Sequence, residues 1–476
     1  MVDGKGISYA TKVLFTVTAV ALLVNYVETM VIPGVPTIQK DFGTTASIAS
    51  WITSAFLIVG SATAPLFGKM GDIYGKRKIF LVVLVFYTIG VGFAGFASSI
   101  YELLIARAIQ GIGFAIVPLA IALITDEIPR EKVATAQGII SGTFAIGATA
   151  GLVLGSYIVQ DLGWRYAFYS AFILSIVLFA LVSRTIKKDV PGQRSKMDYG
   201  GTALLMAGIT LVLLYLTEGP TLGWLSWENL AFLLPGIAAI VFFFAYERRQ
   251  SDPMIQLPLL RIRNVLMANL IGIISGLAMF LIFFAVIYYA QLPTPYGLGM
   301  DIISTGLAAA PATVIMLIIG PLAGRMVTRI GPKPILLIGS FAMIVGLSLF
   351  IVNRSTALDL TIDISIAMSG LVCTIIPIIN MVALSLPKEN IAVGLGINTM
   401  LRNLGGAIGP VVATTFMSSY VTSIVVNIGG HDVIVGQVPS STAFDFIFIT
   451  GIVMIIFVIL LSLFIKNYSF GTKKKD

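Results

Sequence analysis

Gly68-Lys69-Met70-Gly71-Asp72-Ile73-Tyr74-Gly75-Lys76-Arg77-Lys78 is a sharp, glycine-permitted turn that carries one carboxylate and a cluster of cations. It separates two apolar runs, 47–68 and 79–97, each about as long as a bilayer crossing requires. A second copy begins 256 residues later, from Gly68 to Gly324, and reads Gly324-Arg325-Met326-Val327-Thr328-Arg329-Ile330-Gly331-Pro332-Lys333. Both outer glycines, the methionine and the basic positions return, but the acid is lost. Each copy follows the second apolar run of a six-run block, so the chain reads as two parallel repeats.

Composition agrees with a chain built inside a bilayer. Of 476 residues, 57% are hydrophobic and only 11% are charged, and the mean hydropathy is +0.99, far outside the range of a soluble domain. The 47 Gly and 20 Pro are tolerated where neighbouring helices re-satisfy freed backbone groups. The apolar stretches run to about 20 residues without alternation, which selects helices over a barrel. One cysteine, Cys373, and one histidine, His431, leave no disulfide, zinc or Cys/His nucleophile framework. His431 and Asp432, beside Gly429-Gly430, are too few to hold a metal.

Fourteen spans are expected, at 13–36, 47–68, 79–97, 101–124, 134–158, 165–185, 200–217, 229–247, 264–290, 303–327, 333–352, 361–386, 392–418 and 444–466. The even count puts both ends on one side. With alternate gaps assigned to opposite sides, 25 of the 30 Lys and Arg fall on the side of the termini. Three lie opposite (Lys40, Arg165, Arg354), and Arg107 and Arg402 lie within spans. This bias places both termini in the cytoplasm and explains the net charge of +8 without nucleic acid. The first run holds Glu28 and Asn25 and leads straight into another span, so it is read as retained rather than as a secretory signal. No gap is long enough for a soluble domain; the longest, 419–443, reads as a polar outer loop.

At this point the chain resembles the major facilitator superfamily, and within it the fourteen-helix drug:proton antiporters. The turn from Gly68 to Lys78 matches the superfamily's loop signature. Arg107-Ala108-Ile109-Gln110-Gly111-Ile112-Gly113 is similar to its intramembrane arginine motif, and Gly163-Trp164-Arg165 to the signature opening the sixth helix. Asp198-Tyr199-Gly200 and Arg402-Asn403-Leu404-Gly405-Gly406 resemble the fourteen-helix branch. The fifth span departs: Gly147, Gly151 and Gly155 keep a smooth strip for close helix approach, but Leu152 and Ser156 stand where that family carries Pro and a second Gly. The resemblance implies an all-α polytopic fold of two six-helix bundles, residues 1–185 and 264–476, with two inserted helices within 186–263.

Glu28 is the leading functional candidate. It lies about 15 residues, or roughly 22 Å, into the first span, where a charged carboxylate is costly. Such a group is suited to take and release a proton and to balance a cationic substrate; the alternative is a Glu held permanently by an Arg. The resemblance places the family's span-1 acid one position earlier, at Val27. Arg107 is expected to take part in proton coupling or to anchor on backbone carbonyls, and Arg402 is a second intramembrane cation with the same two readings. Gly68, Asp72, Gly75, Arg77 and Arg130 are expected to form a cytoplasmic gate. Asn25, Tyr26, Phe284 and Tyr288 are the substrate-site candidates, the last two from a span-9 aromatic group that also holds Phe280, Phe283 and Tyr289; Met30, Met279, Met316 and Met400 read either as ordinary packing or as an adaptable apolar surface. Asp363 and Asp445 read as helix-start acids near the outer surface, and Asp126 and Glu127 as the cap of the fourth span.

The sequence carries no Gly-x-x-x-x-Gly-Lys-Ser/Thr and no nucleophile–base–acid constellation, so an enzyme is not expected and no cofactor is implied beyond an ion gradient. The expected activity is proton-coupled efflux of small amphipathic or cationic compounds by a monomer in the plasma membrane. The alternatives are a uniporter or proton symporter for a metabolite or organic anion, and a lipid flippase on the same fold.

Overall fold

A computed structural model describes residues 9–467, except 128–129, 188–197, 251–252, 254, 388–389 and 429–430. Fourteen long helices form, one for each expected span. They are α1 (Tyr9–Met30, a 3-10 turn Ile32–Gly34, then Val35–Asp41), α2 (Ala46–Tyr74), α3 (Lys76–Gly95) and α4 (Ile100–Gly111, a 3-10 turn Ile112–Ala115, then Ile116–Glu127). There follow α5 (Arg130–Asp161), α6 (Trp164–Thr185), α7 (Tyr199–Leu222), α8 (Trp227–Glu247), α9 (Arg263–Gln291) and α10 (Ile302–Ile330). The last are α11 (Pro332–Val352), α12 (Ala357–Ser385), α13 (Ile391–Ser419) and α14 (Ser441–Leu463).

Thirteen of them are long and apolar enough to cross a membrane by length and composition alone. The fourteenth, α13, is equally long at 29 residues, and its apolarity is interrupted by Arg402, Asn403 and glycines. At about 1.5 Å per residue it reaches roughly 43 Å, more than a hydrocarbon core.

The chain's local chemistry sets the ends. Thr45, Ser99, Asp301 and Ser440 each accept from the backbone N–H three residues on, which satisfies donors that the first helical turn leaves open. Thr356 and Asp359 close a reciprocal capping box on α12. On the opposite side Gly75 and Gly331, the matching glycines of the two repeated turns, sit at φ 101° and 91°, a region side chains with a Cβ avoid. The break in α1 falls between Pro33 and Pro36, where a proline cannot donate to the preceding turn.

Residues 419–443 are not an irregular loop. Val421–Ile428 (β1) and His431–Pro439 (β2) pair antiparallel, from Val421 opposite Pro439 to Ile428 opposite His431. Two β-branched runs around Gly429-Gly430 are a hairpin signal, and the polar reading of this stretch passed over it.

In the first half α1 packs on α5 and α6, and α3 on α4 and α6; in the second, α9 packs on α13 and α12, and α11 on α12 and α14. Two seams join the halves, α2 on α13 and α5 on α10. The inserted α7 lies against both α2 and α13, and α8 lies on α7. Only 17% of the most apolar window of α8 is buried within the protein, against 83% for α9, so α8 is peripheral and α9 central.

Candidate functional site

Glu28 is buried in α1 at 3% exposure. Among the described residues its Oε2 accepts no hydrogen bond, and no cation lies within ion-pair distance of it. Arg107 of the first half and Arg402 of the second both act on it electrostatically.

The two arginines are held differently. The Arg107 guanidinium is fully buried: Nε donates to Ile52 O at 2.8 Å and Nη1 to Gln110 Oε1 at 2.6 Å. The group lies 4.3 Å from the centre of the Phe56 ring, a favourable cation–π position. Nη2 and the Gln110 Nε2 have no partner among the described residues. The glycines of the arginine motif make this possible. A Cβ at Gly111 would meet the α2 backbone at Phe56 and Gly60, and one at Gly113 would meet the Tyr87 ring. Arg402, by contrast, is only partly buried, and its guanidinium makes no hydrogen bond or ion pair among the described residues.

Tyr87 completes the first-half cluster and was not singled out from sequence. Its buried hydroxyl donates to Leu23 O at 3.5 Å. A lone tyrosine in the middle of an apolar span was the available signal.

The substrate-site candidates do not converge. Asn25 Nδ2 donates to Ala21 O at 2.9 Å and to Thr143 Oγ1 on α5 at 3.1 Å, while Tyr26 is half-buried. Phe284 stacks on Tyr288 with ring centroids 5.4 Å apart, and the Tyr288 hydroxyl donates to Gln39 Oε1 at 2.8 Å. The void between the halves is lined instead by their neighbours, among them Thr29, Phe144, Met279, Phe280, Phe283 and Met316. It is apolar and holds only about 10 Å³, room for roughly one water. In α5, Gly147, Gly151 and Gly155 press against Asn25, Thr29 and Met30, so the strip is the face on which α1 and α5 meet.

In the repeated turn, Arg77 Nη2 donates to Ser183 O at 2.8 Å, tying the turn to α6. Asp72 is exposed, and Gly68 has open space where a Cβ would stand. The Arg130 side chain lies outside the described residues, as do those of Asp126, Glu127, His431 and Asp432. Asp445 begins α14 as expected and pairs with Arg354 at 2.7 Å. Asp363 does not cap a helix start, because Thr356 and Asp359 do so. It is buried two turns into α12, with Oδ2 lacking a hydrogen bond among the described residues.

Hydrogen bonds between the halves run from mid-membrane to the side opposite the termini. Besides Tyr288 to Gln39, Gln291 Nε2 donates to Pro33 O at 2.8 Å and Ile303 N to Gln160 Oε1 at 2.9 Å. Ser47 and Ser418 share a bond of 2.9 Å, Thr149 and Thr313 one of 2.7 Å, and Ser54 Oγ donates to Ala407 O at 2.7 Å. That side is closed.

Two repeated helix bundles that meet along two seams, with charged groups buried between them, define a polytopic membrane transporter. The chain belongs to the Major Facilitator Superfamily, whose family model matches residues 17–410. It is 28% identical over 417 residues to "Multidrug resistance protein Stp" of Mycobacterium tuberculosis (strain CDC 1551 / Oshkosh), covering 86% of this chain and 75% of that one. It is 27% identical over 391 residues to "Multidrug transporter protein MdtP" of Bacillus subtilis (strain 168), covering 80% and 70%. Among solved structures it is similar to the inward open conformation of the xylose transporter XylE from E. coli, with a TM-score of 0.62, 15% identity and coverage of 97% and 98%. At that identity the likeness shows the fold alone.

Proposed function

We propose that this transporter exports amphipathic, drug-like compounds, cations among them, in exchange for protons, and that Glu28 carries the proton. The observation that carries the reading is the Glu28 carboxylate, buried with one oxygen unclaimed among the described residues and under the electrostatic influence of an arginine of each half. A charge so placed is costly unless something neutralises it. A proton and a cationic headgroup are alternative neutralisers, and their competition for one carboxylate is antiport. The relatives named as multidrug proteins support the same reading.

The moving bodies are residues 1–185 and 264–476, with the helices of 186–263 beside them, rocking about the central void by alternating access. With the termini in the cytoplasm, as the Lys/Arg bias requires, the closed side is the outer one and the arrangement is inward-facing. The transporter then works as a plasma-membrane monomer driven by the proton gradient. In that cycle Gly68, Asp72, Gly75, Arg77 and Arg130 form the gate that closes on the cytoplasmic side.

Purified protein in liposomes with a trapped pH dye, challenged with a panel of lipophilic cations, tests this. The expected result is proton movement opposite to the substrate, lost in Glu28→Gln. A second reading, proton symport of a metabolite, draws on α5, where Ser156 Oγ donates to Leu152 O at 2.5 Å and packs against Gly306 of α10. Substrate and proton moving in the same direction would establish it and remove the efflux reading.

A further inference from the structure

The inserted helix α7 sits over the α2–α13 seam and is bonded to both sides of it. Trp51 Nε1 of α2 donates to Thr217 Oγ1 at 2.9 Å. Thr415 Oγ1 of α13 shares its one proton between Val411 O of its own helix at 2.8 Å and the carbonyl adjacent to Thr217, Leu216 O, at 3.0 Å. Both contacts lie about one and a half turns from the closed-side ends of their helices, in line with the Ser47–Ser418 bond between α2 and α13 themselves. Thr217 and Thr415 are buried.

Helix α7 packs on α2 as extensively as on α13, but the two attachments differ in kind. Towards the terminal side, Leu205 of α7 and Phe243 of α8 share an apolar cluster with Ile397, Met400 and Leu404 of α13. Helix α7 is therefore seated on the second half by apolar packing as well as by Thr415. On the first half, α7 packs on α2, and the Trp51 indole bond is a polar contact across that surface. The Thr217 hydroxyl spends its own proton on Leu213 O at 2.8 Å, so towards Trp51 it is an acceptor.

We infer that α7 is a brace for the closed side. It travels with α13, and the Trp51–Thr217 bond must break for α2 and α13 to part there. An indole N–H parted from its acceptor within the membrane loses a bond that water cannot replace, so the brace biases the transporter towards the arrangement seen here. This gives the inserted pair a task in setting the balance between the two orientations, apart from any contact with substrate.

Nitroxide pairs test it without substrate, and so independently of the efflux reading. In a Cys373→Ala background, labels at Lys40→Cys and Leu358→Cys, both exposed and on opposite halves at the closed side, report the separation in liposomes. Thr217→Val and Trp51→Phe should each raise the ratio of the long-distance to the short-distance population by about fivefold, the weight of one net hydrogen bond. Thr217→Ser, which keeps the acceptor, should leave it unchanged. Unaltered distances in both Thr217→Val and Trp51→Phe overturn the brace. So does an equal shift in Thr217→Val and Thr217→Ser, which would make the effect one of repacking.

Discussion

Helix α1 lies on α5 as α9 lies on α13, and both pairs use the same device. In the first half, Gly147, Gly151 and Gly155 of α5 bring its backbone onto α1; in the second, Gly405 and Gly409 of α13 do so at Ile273 and Leu277 of α9. Each pair is also pinned by an asparagine, Asn25 to Thr143 and Asn398 to Asn269, both at 3.1 Å. What differs is where the charge sits: Glu28 is on the first-half helix α1, and Arg402 on the second-half helix α13. The repeated scaffold solves packing once, and the unlike charges are then placed on different halves. Helix packing in a membrane depends on small residues, whereas coupling depends on a few costly charges, and the two sets can vary independently.

The two intramembrane arginines offer the largest test of that separation. Arg107 holds Ile52 O and Gln110 Oε1, so Arg107→Ala strands two buried acceptors and should cost about 3 kcal/mol of stability, read from denaturant unfolding in detergent. Arg107→Lys should rescue it only in part, since one ammonium cannot reproduce the fork that reaches both acceptors. Arg402 holds nothing by hydrogen bonds among the described residues. Arg402→Ala should stay within about 0.5 kcal/mol of the parent while slowing proton-coupled flux in liposomes. Equal losses of stability would show that Arg402 is an anchor after all.

The glycine strips should respond alike in both halves. A Cβ at Gly151 meets Thr29 Oγ1 and the Tyr26 carbonyl, and one at Gly405 meets the Ile273 carbonyl. Gly151→Ala and Gly405→Ala should therefore each destabilise by roughly 1–3 kcal/mol. Gly68 is the contrast. It lies within α2 with open space around it, so Gly68→Ala should stabilise by about 0.5–1 kcal/mol through helix propensity alone. If Gly68 belongs to the proposed gate, the same substitution should lower the turnover measured in liposomes. A stabilised variant with undiminished transport would remove Gly68 from the gate.

The spans were legible because hydrocarbon thickness dictates their length: the run read at 79–97 is the helix Lys76–Gly95, and that at 200–217 is Tyr199–Leu222. The repeated turn was legible because its backbone needs glycine at Gly75 and Gly331. The void was legible in part. The span-9 aromatics stood out and include Phe280 and Phe283 of its lining, but Phe280 and Phe284 lie one turn apart on one face, and no periodicity in an all-apolar helix says which of them reach the void. Glu28 stood out because a charged carboxylate in a span is costly, which makes a functional role its default reading. Gln39, Gln160 and Gln291 did not, since each matters only through a partner more than 100 residues away.

The smallest difference between the halves lies at the two turns. In the first, the end of α6 is held by Arg77 through Ser183 O and by the Tyr9 hydroxyl, which accepts from Lys187 N at 3.1 Å. In the second, the segment after α14 takes that part. Asn264 and Lys466 exchange two bonds of 3.0 Å, and Asn467 accepts from Lys333 N and donates to Ile330 O, both at 3.3 Å. The bonds of Asn467 are long and exposed, so Asn467→Ala should cost no more than about 0.5–1 kcal/mol. Its effect should be confined to faster amide exchange at the start of α11, with none at the start of α3. Faster exchange at both turns would mean that the halves are coupled on this side, and that the clasps belong to one gate rather than to two separate bundles.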